Sequence, residues 1–404
     1  MATVKPFCAL RPVPELASQI CELPYDVMSS EEARKVADGN PLSFLRVSKP
    51  EIEFPKETNP YAPEVYLKGK ENLELLIGKG ALQMDANPCF YLYRQTMGEH
   101  TQMGLVAVAS CKDYLDETIK KHEFTRPEKE DDRVRHMEAV DAQTGPVFLT
   151  YRASEALRAI FSDKTRDAPC VDFVADDGVR HSSWVINDAD SIARIEAGFS
   201  ETPFLYIADG HHRSAAAGRV FQARNGSGGS DFFLSVIFPH DQMQILPYNR
   251  VIRDLNGLGL AEVKDRLKGV FTFEECGNGK PSQKHSLGLY LDGKWEMLKF
   301  RPELTESGGA VEQLDVSLLQ QHVLEPIFGI KDPRTSQRIA FVGGIRGTGE
   351  LELLVKSGEY ACAFSMYPTL IEDLMTIADG NGIMPPKSTW FEPKLRDGMF
   401  CHRL

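Results

Sequence analysis

At 404 residues, 42% hydrophobic and 26% charged, the chain has the composition of a folded globular protein and enough length for two packed units. Its 46 basic and 58 acidic residues give a formal charge of −12, and no basic run offsets this locally, so nucleic acid is excluded as the expected partner. No segment has the apolar length of a membrane span or a signal sequence, and the eight cysteines are scattered without a C-x-x-C pair. The expectation is a cytoplasmic protein without a membrane contact, a zinc site or a disulfide framework.

In chain order, the short apolar piece Phe7 to Leu10 precedes Leu23-Pro24-Tyr25-Asp26-Val27-Met28. Ser29 and Glu32 have capping-box spacing and predict a helix through about Ala37, stopped by Asp38-Gly39-Asn40-Pro41. Val65, Leu67, Leu73 and Leu76 predict a second helix over roughly Ala62 to Ile77, ended by Gly78-Lys79-Gly80. Phe90 to Gln95 and Met103 to Ala109, with Gly98 between them, read as a hairpin. Asp113 to Lys121 is predicted helical, delivering His122-Glu123, and the charged segment Arg126 to Asp132 leads into a helix bearing Val134, Met137 and Val140. Strands are predicted at Val147 to Tyr151, before Asp209, and at Phe232 to Phe238.

Beyond about Leu255 the pattern becomes a hairpin over Leu287 to Phe300, a helix around Asp315 to Leu324, and short strands near Arg338 to Val342 and Glu350 to Val355. The glycine-rich Gly343 to Gly349 lacks the lysine of a Walker loop and reads as a hairpin turn. Alternation of helix and strand makes the class α/β, passing to α+β in the last third.

The chemistry gathers at Asp209-Gly210-His211-His212-Arg213. A buried strand that breaks at Asp-Gly and restarts as a helix sets backbone N–H groups, imidazoles and a guanidinium around one point. An acidic protein that binds an anion needs such a focused site. His211 and Arg213 are expected to face a solvent-filled cleft, and the alternative is a tight turn capped by Asp209. Metal ligation by His211, His212 and Asp209 is disfavoured, because adjacent residues rarely aim at one ion and no helical His-x-x-x-His pair is present.

Leu-Pro-Tyr-Asp-Val from Leu23, His-Glu-x-Thr from His122 with a following Asp-Arg, Ala-Asp-Gly-His-His-Arg from Ala208, and Met-Pro-Pro-Lys-Ser-Thr from Met384 occur in that order. Together they resemble the family catalogued as domain of unknown function ten-fifteen, over nearly the whole chain. The Asp209 to Arg213 loop is also similar to the phosphate signature of the ParB/sulfiredoxin superfamily, and within it to the free-serine kinases. The resemblance implies a ParB/sulfiredoxin-like catalytic core over 88–254, an N-terminal α/β segment over 1–87 packed on it, and a C-terminal α+β domain over 255–404. It further implies a small-molecule phosphotransferase, a free L-serine kinase making O-phospho-L-serine as in serine biosynthesis. The implied donor is ATP, ADP or pyrophosphate, with Mg2+.

Glu123 matches the family's base, with Asp209 and His211 as further catalytic candidates. Gly210, His211, His212 and Arg213 are the expected phosphate anchor, and Lys387 and Ser388, held rigid after two prolines, are candidates to close over it. Asp209 is the expected Mg2+ ligand, distinct from a His-His-Asp set on one transition ion, and Tyr25, Asp26 and Arg250 are the substrate-binding candidates. The structural alternatives are a solvated acid for Glu123, an Asx turn for Asp26, a surface ion pair for Arg250 and a C-terminal clamp for Lys387 and Ser388. Lys129 and Arg133 are candidates for anionic substrate, with a charged helical face as the alternative. The competing function is a non-catalytic nucleotide-binding switch or partition module of ParB-like fold, against which the acidic charge weighs. A sulfiredoxin-like or nuclease activity is weaker still, because no cysteine adjoins the loop and no basic groove is evident.

Overall fold

The β-rich residues Phe90–Met97 and His100–Ser110 pair antiparallel as a hairpin, with Tyr91 opposite Val106 and Tyr93 opposite Gly104. Gly104 is required there, since a Cβ would stand 2.8 Å from Val236. The hairpin lies within a nine-stranded mixed sheet, and the α/β class of the chain is plain in it. The computed structural model describes all of residues 1–404, in two units: Met1–Met243 with Pro393–Leu404, and Gln244–Glu392. The unit boundary thus falls before the expected 254/255 division, the segment 1–87 belongs to the same unit as the sheet, and the last residues return to that unit. No helix is long and apolar enough to cross a membrane.

Two pairings in the first unit position the candidate site. Ile119–Lys120 runs parallel to Leu205–Asp209, with Ile119 opposite Leu205 and Lys120 opposite Tyr206. Both chains therefore leave the sheet at the same end, and their following residues, His122-Glu123 and Gly210-His211, emerge side by side. Val147–Tyr151 runs antiparallel on the other side of Leu205–Asp209, with Phe148 opposite Asp209. That brings the chain before Phe148 beneath the loop.

The sheet's apolar face is filled by residues such as Leu92, Leu105, Leu149, Ile207 and Ile237, all fully buried. Helices Pro127–Val140 and His211–Arg224 pack against each other, with Arg219 paired to Asp131 at 2.7 Å and Arg224 to Glu138 at 3.2 Å. The expected helix over Asp113 to Lys121 is shorter. Ser110 caps Cys111–Leu115, accepting the N–H of Asp113 at 3.2 Å, and Glu117 at φ 64° breaks the helix before Ile119–Lys120 joins the sheet. His122-Glu123 is therefore delivered by a strand rather than a helix.

The C-terminal residues Pro393–Leu404 are tied to the first unit by backbone exchange between Glu22 and Asp397 and between Leu10 and Cys401, and by pairing of His402–Arg403 with Ala142–Gln143. The second unit is built on a six-stranded antiparallel sheet. Here Glu350 to Val355 is not a strand: it lies in the helix Gly347–Lys356, whose Leu351, Leu354 and Val355 line one face of its core. Gly343 to Gly349 is accordingly a strand end and helix start, not a hairpin turn.

Candidate functional site

Leu205–Asp209 ends at Gly210, whose φ of 96° lies in the left-handed region that suits glycine. A Cβ there would also meet Arg213 Nε at 3.2 Å and Val147 Cα at 3.4 Å. The chain thereby turns straight into helix His211–Arg224, and the first N–H groups of that helix have no intrahelical acceptor. Asp209 braces the turn: its Oδ1 accepts the N–H of Gly210 at 2.8 Å, and its Oδ2 lies 3.1 Å from Lys394 Nζ. Burial disfavours the charged carboxylate, but Lys394, Arg213 and His211 outweigh it and hold Asp209 well below the usual range. With both oxygens engaged, Asp209 is an electrostatic support, and a metal ion would have to displace the ammonium to use it.

His211 and Arg213 do not face an open cleft; both are buried. The guanidinium of Arg213 folds back under the loop, donates to the carbonyl of Pro146 and lies 3.6 Å from Asp26 Oδ2. Its position follows from the antiparallel strand that sets Pro146 under Gly210. Arg213 Nε and His211 Nε2 have no hydrogen-bond partner.

Nδ1 of His211 stands 3.8 Å from Glu123 Oε2, beyond hydrogen-bond length but within ion-pair range. The Glu123 side chain is 54% exposed, so the carboxylate lies at the rim of this cluster with the imidazole behind it. His122 stacks edge-on against His211 with ring centroids 4.5 Å apart. Nδ1 of His122 is buried without a partner. Burial pushes His122 down to about 4 and takes His211 well below its usual value, with each other's proximity adding to the effect on His211.

His212 takes a different direction: its Nε2 accepts the N–H of Arg126 at 3.1 Å, tying the loop to the start of helix Pro127–Val140. Tyr25 lies beneath Arg133, whose guanidinium is 3.8 Å from the ring centroid and pairs with Asp132 at 2.8 Å. Asp132 in turn accepts from Tyr66 OH at 2.9 Å. Arg133 is thus buried and committed, unlike Lys129, whose Nζ donates to Tyr61 OH at the surface. Tyr25-Asp26, His122-Glu123 and Asp209 to Arg213, remote in sequence, converge in the first unit.

Arg250, Lys387 and Ser388 belong to the second unit. Arg250 is buried and donates to the carbonyls of Tyr248 and Lys387, the latter at 3.1 Å. Ser388 donates to the Pro385 carbonyl, and Lys387 Nζ reaches Tyr248 OH at 3.4 Å.

Three participants escaped the sequence reading. Lys394 meets Asp209 across 185 positions, and no local pattern announces such a contact. Asp397 is buried beside Arg213, Asp26 and Arg133, and its carboxyl is pushed up to about 7 by burial. A Cβ on Gly145 would sit 2.4 Å from its Oδ1, so that glycine makes room for the acid. His122 was visible only as the neighbour of Glu123.

Among curated proteins none matches the chain. Solved structures similar to it include a free serine kinase in complex with AMP, at 14% identity and TM-score 0.35, covering 68% of this chain and 84% of that one. A truncated SbnI from Staphylococcus aureus is 11% identical at TM-score 0.39, covering 72% of this chain and 85% of that one. A conserved hypothetical protein from Pyrococcus furiosus is 14% identical at TM-score 0.33, covering 70% and 90%. Residues 4–317 match the family described as "Protein of unknown function (DUF1015)", and the chain belongs to that family.

Proposed function

We propose that the first unit catalyses phosphoryl transfer from a nucleotide or pyrophosphate to the hydroxyl of free L-serine. The observation that carries this reading is the approach of the Glu123 carboxylate to His211 at the open start of a helix entered through Gly210. Phosphoryl transfer asks little covalent chemistry of a protein: an anchored donor, compensation of charge and a carboxylate to take the acceptor proton. The backbone N–H groups of the first helical turn are the anchor, with the positive end of the helix behind them. Arg213 acts from below as fixed positive charge. Glu123, at the rim, removes the serine hydroxyl proton as that oxygen bonds to phosphorus and the donor's bridging oxygen departs with the bond's electron pair.

Asp209 is engaged with Lys394 and Gly210, so the loop does not supply the ring of oxygen donors that Mg2+ prefers. In this reading Mg2+ arrives on the donor phosphates, as part of the substrate. Incubation of the protein with serine, Mg2+ and in turn ATP, ADP and pyrophosphate tests the assignment. O-phosphoserine from at least one donor supports it. Absence of product from all three, with donor binding intact, leaves the non-catalytic nucleotide switch.

A further inference from the structure

His122, Glu123 and His211 each offer an atom able to ligate a metal, and these atoms lie within 4.8 Å of one another. Both imidazoles are almost completely buried, at 2% and 5% exposure, and Nδ1 of His122 has no hydrogen-bond partner. An unpaired polar atom inside a protein is costly, and this one lies on a ring in edge-on contact with His211, whose Nδ1 faces Glu123.

We propose that His122, Glu123 and His211 form a binding site for one divalent transition ion of the Zn2+ or Mn2+ class, held by two imidazole nitrogens and one carboxylate oxygen. The spacing fits. His211 Nδ1 and Glu123 Oε2 are 3.8 Å apart, too far for a hydrogen bond. Metal–ligand bonds of roughly 2.0–2.2 Å separate neighbouring ligand atoms by about 3.4 Å in a tetrahedral site, close to the His211–Glu123 separation, and the rest of the set, within 4.8 Å, contracts on binding.

Imidazole selects a transition ion over Mg2+, whose preferred ligands are oxygens. Three protein ligands leave a position for water or for a ligand oxygen, the arrangement of catalytic rather than structural ions. The site also has a local origin: the parallel pairing of Ile119–Lys120 with Leu205–Asp209 places the residues after both strands together. This inference does not rest on phosphoryl transfer, since the ion would bind whichever reaction the loop serves. It is compatible with Glu123 as base, because one carboxylate oxygen can ligate while the other accepts a proton.

The test uses tag-free, chelator-stripped full-length protein titrated calorimetrically with Zn2+, Mn2+ and Mg2+, with Co2+ as a spectroscopic probe. The expected result is one equivalent of Zn2+ or Mn2+ per chain, bound more tightly than Mg2+, and a visible Co2+ spectrum characteristic of nitrogen ligation. Glu123→Gln, at an exposed rim position, and His122→Gln should each weaken binding by about tenfold or more. Should His122→Gln fail to fold, Glu123→Gln and the Co2+ spectrum still decide. Absence of a one-equivalent site, equal affinity for Mg2+, or Glu123→Gln binding as the wild type overturns the proposal. Each readout is independent of catalysis, so failure of the metal site and failure of the phosphotransferase reading are separately visible.

Discussion

Nζ of Lys394 lies 3.1 Å from Oδ2 of Asp209, joining the C-terminal residues to the strand end that precedes the Gly-His-His-Arg loop. The pair is largely shielded from solvent, so removing the cation leaves a carboxylate whose charge only Arg213 and the loop offset. Lys394→Met should cost on the order of 1–3 kcal/mol, between the small value of a surface pair and that of a fully buried one. Urea unfolding of the variant checks this, and an unchanged midpoint would show that the contact contributes nothing.

Gly210→Ala acts on the loop by a different route. The new Cβ meets Arg213 and Val147 at 3.2–3.4 Å and must be held at φ 96°. Left-handed backbone costs an L-residue about 1–2 kcal/mol before any contact is counted. Loss of stability should therefore accompany weaker phosphate binding, measurable by denaturation and by pyrophosphate titration of the same sample.

Arg213 and Asp26 are paired but unequal. Arg213 is buried against the Pro146 carbonyl and near Asp209 and Asp397, whereas the Asp26 side chain is 38% exposed. Arg213→Ala strips the cation from several acids and should destabilise by roughly 3–5 kcal/mol, while Asp26→Ala should cost about 1 kcal/mol or less. Comparable unfolding midpoints for the two variants would contradict the buried placement of the guanidinium.

Much of this arrangement was legible in the sequence where the determinants are local. The capping box at Ser29 and Glu32 is present with both reciprocal bonds, the 90–110 hairpin follows its strand-forming residues, and the strand, glycine and helix around Asp209 follow in order. Reading failed where one residue or a distant partner decided. The left-handed Glu117 ended a helix expected to continue to Lys121, and the 351, 354, 355 spacing in the second unit satisfied a helix where short apolar runs suggested a strand. Burial of Arg213 and the arrival of Lys394 and Asp397 depend on tertiary pairing, which hydrophobic periodicity does not encode.

Asp397 gives the molecule a distinct pH response. Burial pushes its carboxyl up to about 7, against the pull of Arg213 and Arg133, so the folded chain holds this proton more tightly than the unfolded one. Raising the pH from about 4 to about 7 therefore removes stability through this group, by an upper bound of about 4 kcal/mol. His136, pushed down to about 4 by burial and Arg133, and His181, pushed down to about 3 by burial and Arg396, act in the opposite sense. Their stability is present above the usual histidine value and is lost as the pH falls below it. In Asp397→Asn the acid's contribution disappears and the histidines' remains, so its stability relative to wild type should rise between about pH 5 and pH 8. An offset that is the same at both pH values in urea melts would contradict the raised carboxyl.

In the proposed reaction Glu123 removes the acceptor proton as phosphoryl is transferred to serine. Glu123→Gln keeps the side chain's volume at an exposed rim position but cannot take a proton. The direct measurement is single-turnover formation of O-phosphoserine by wild type and Glu123→Gln, with donor affinity determined on the same preparations. Donor binding should stay within a few-fold of wild type and the rate should fall by roughly 10²- to 10⁴-fold. Serine phosphorylation at an undiminished rate in the variant, or none in the wild type with ATP, ADP or pyrophosphate, would contradict it.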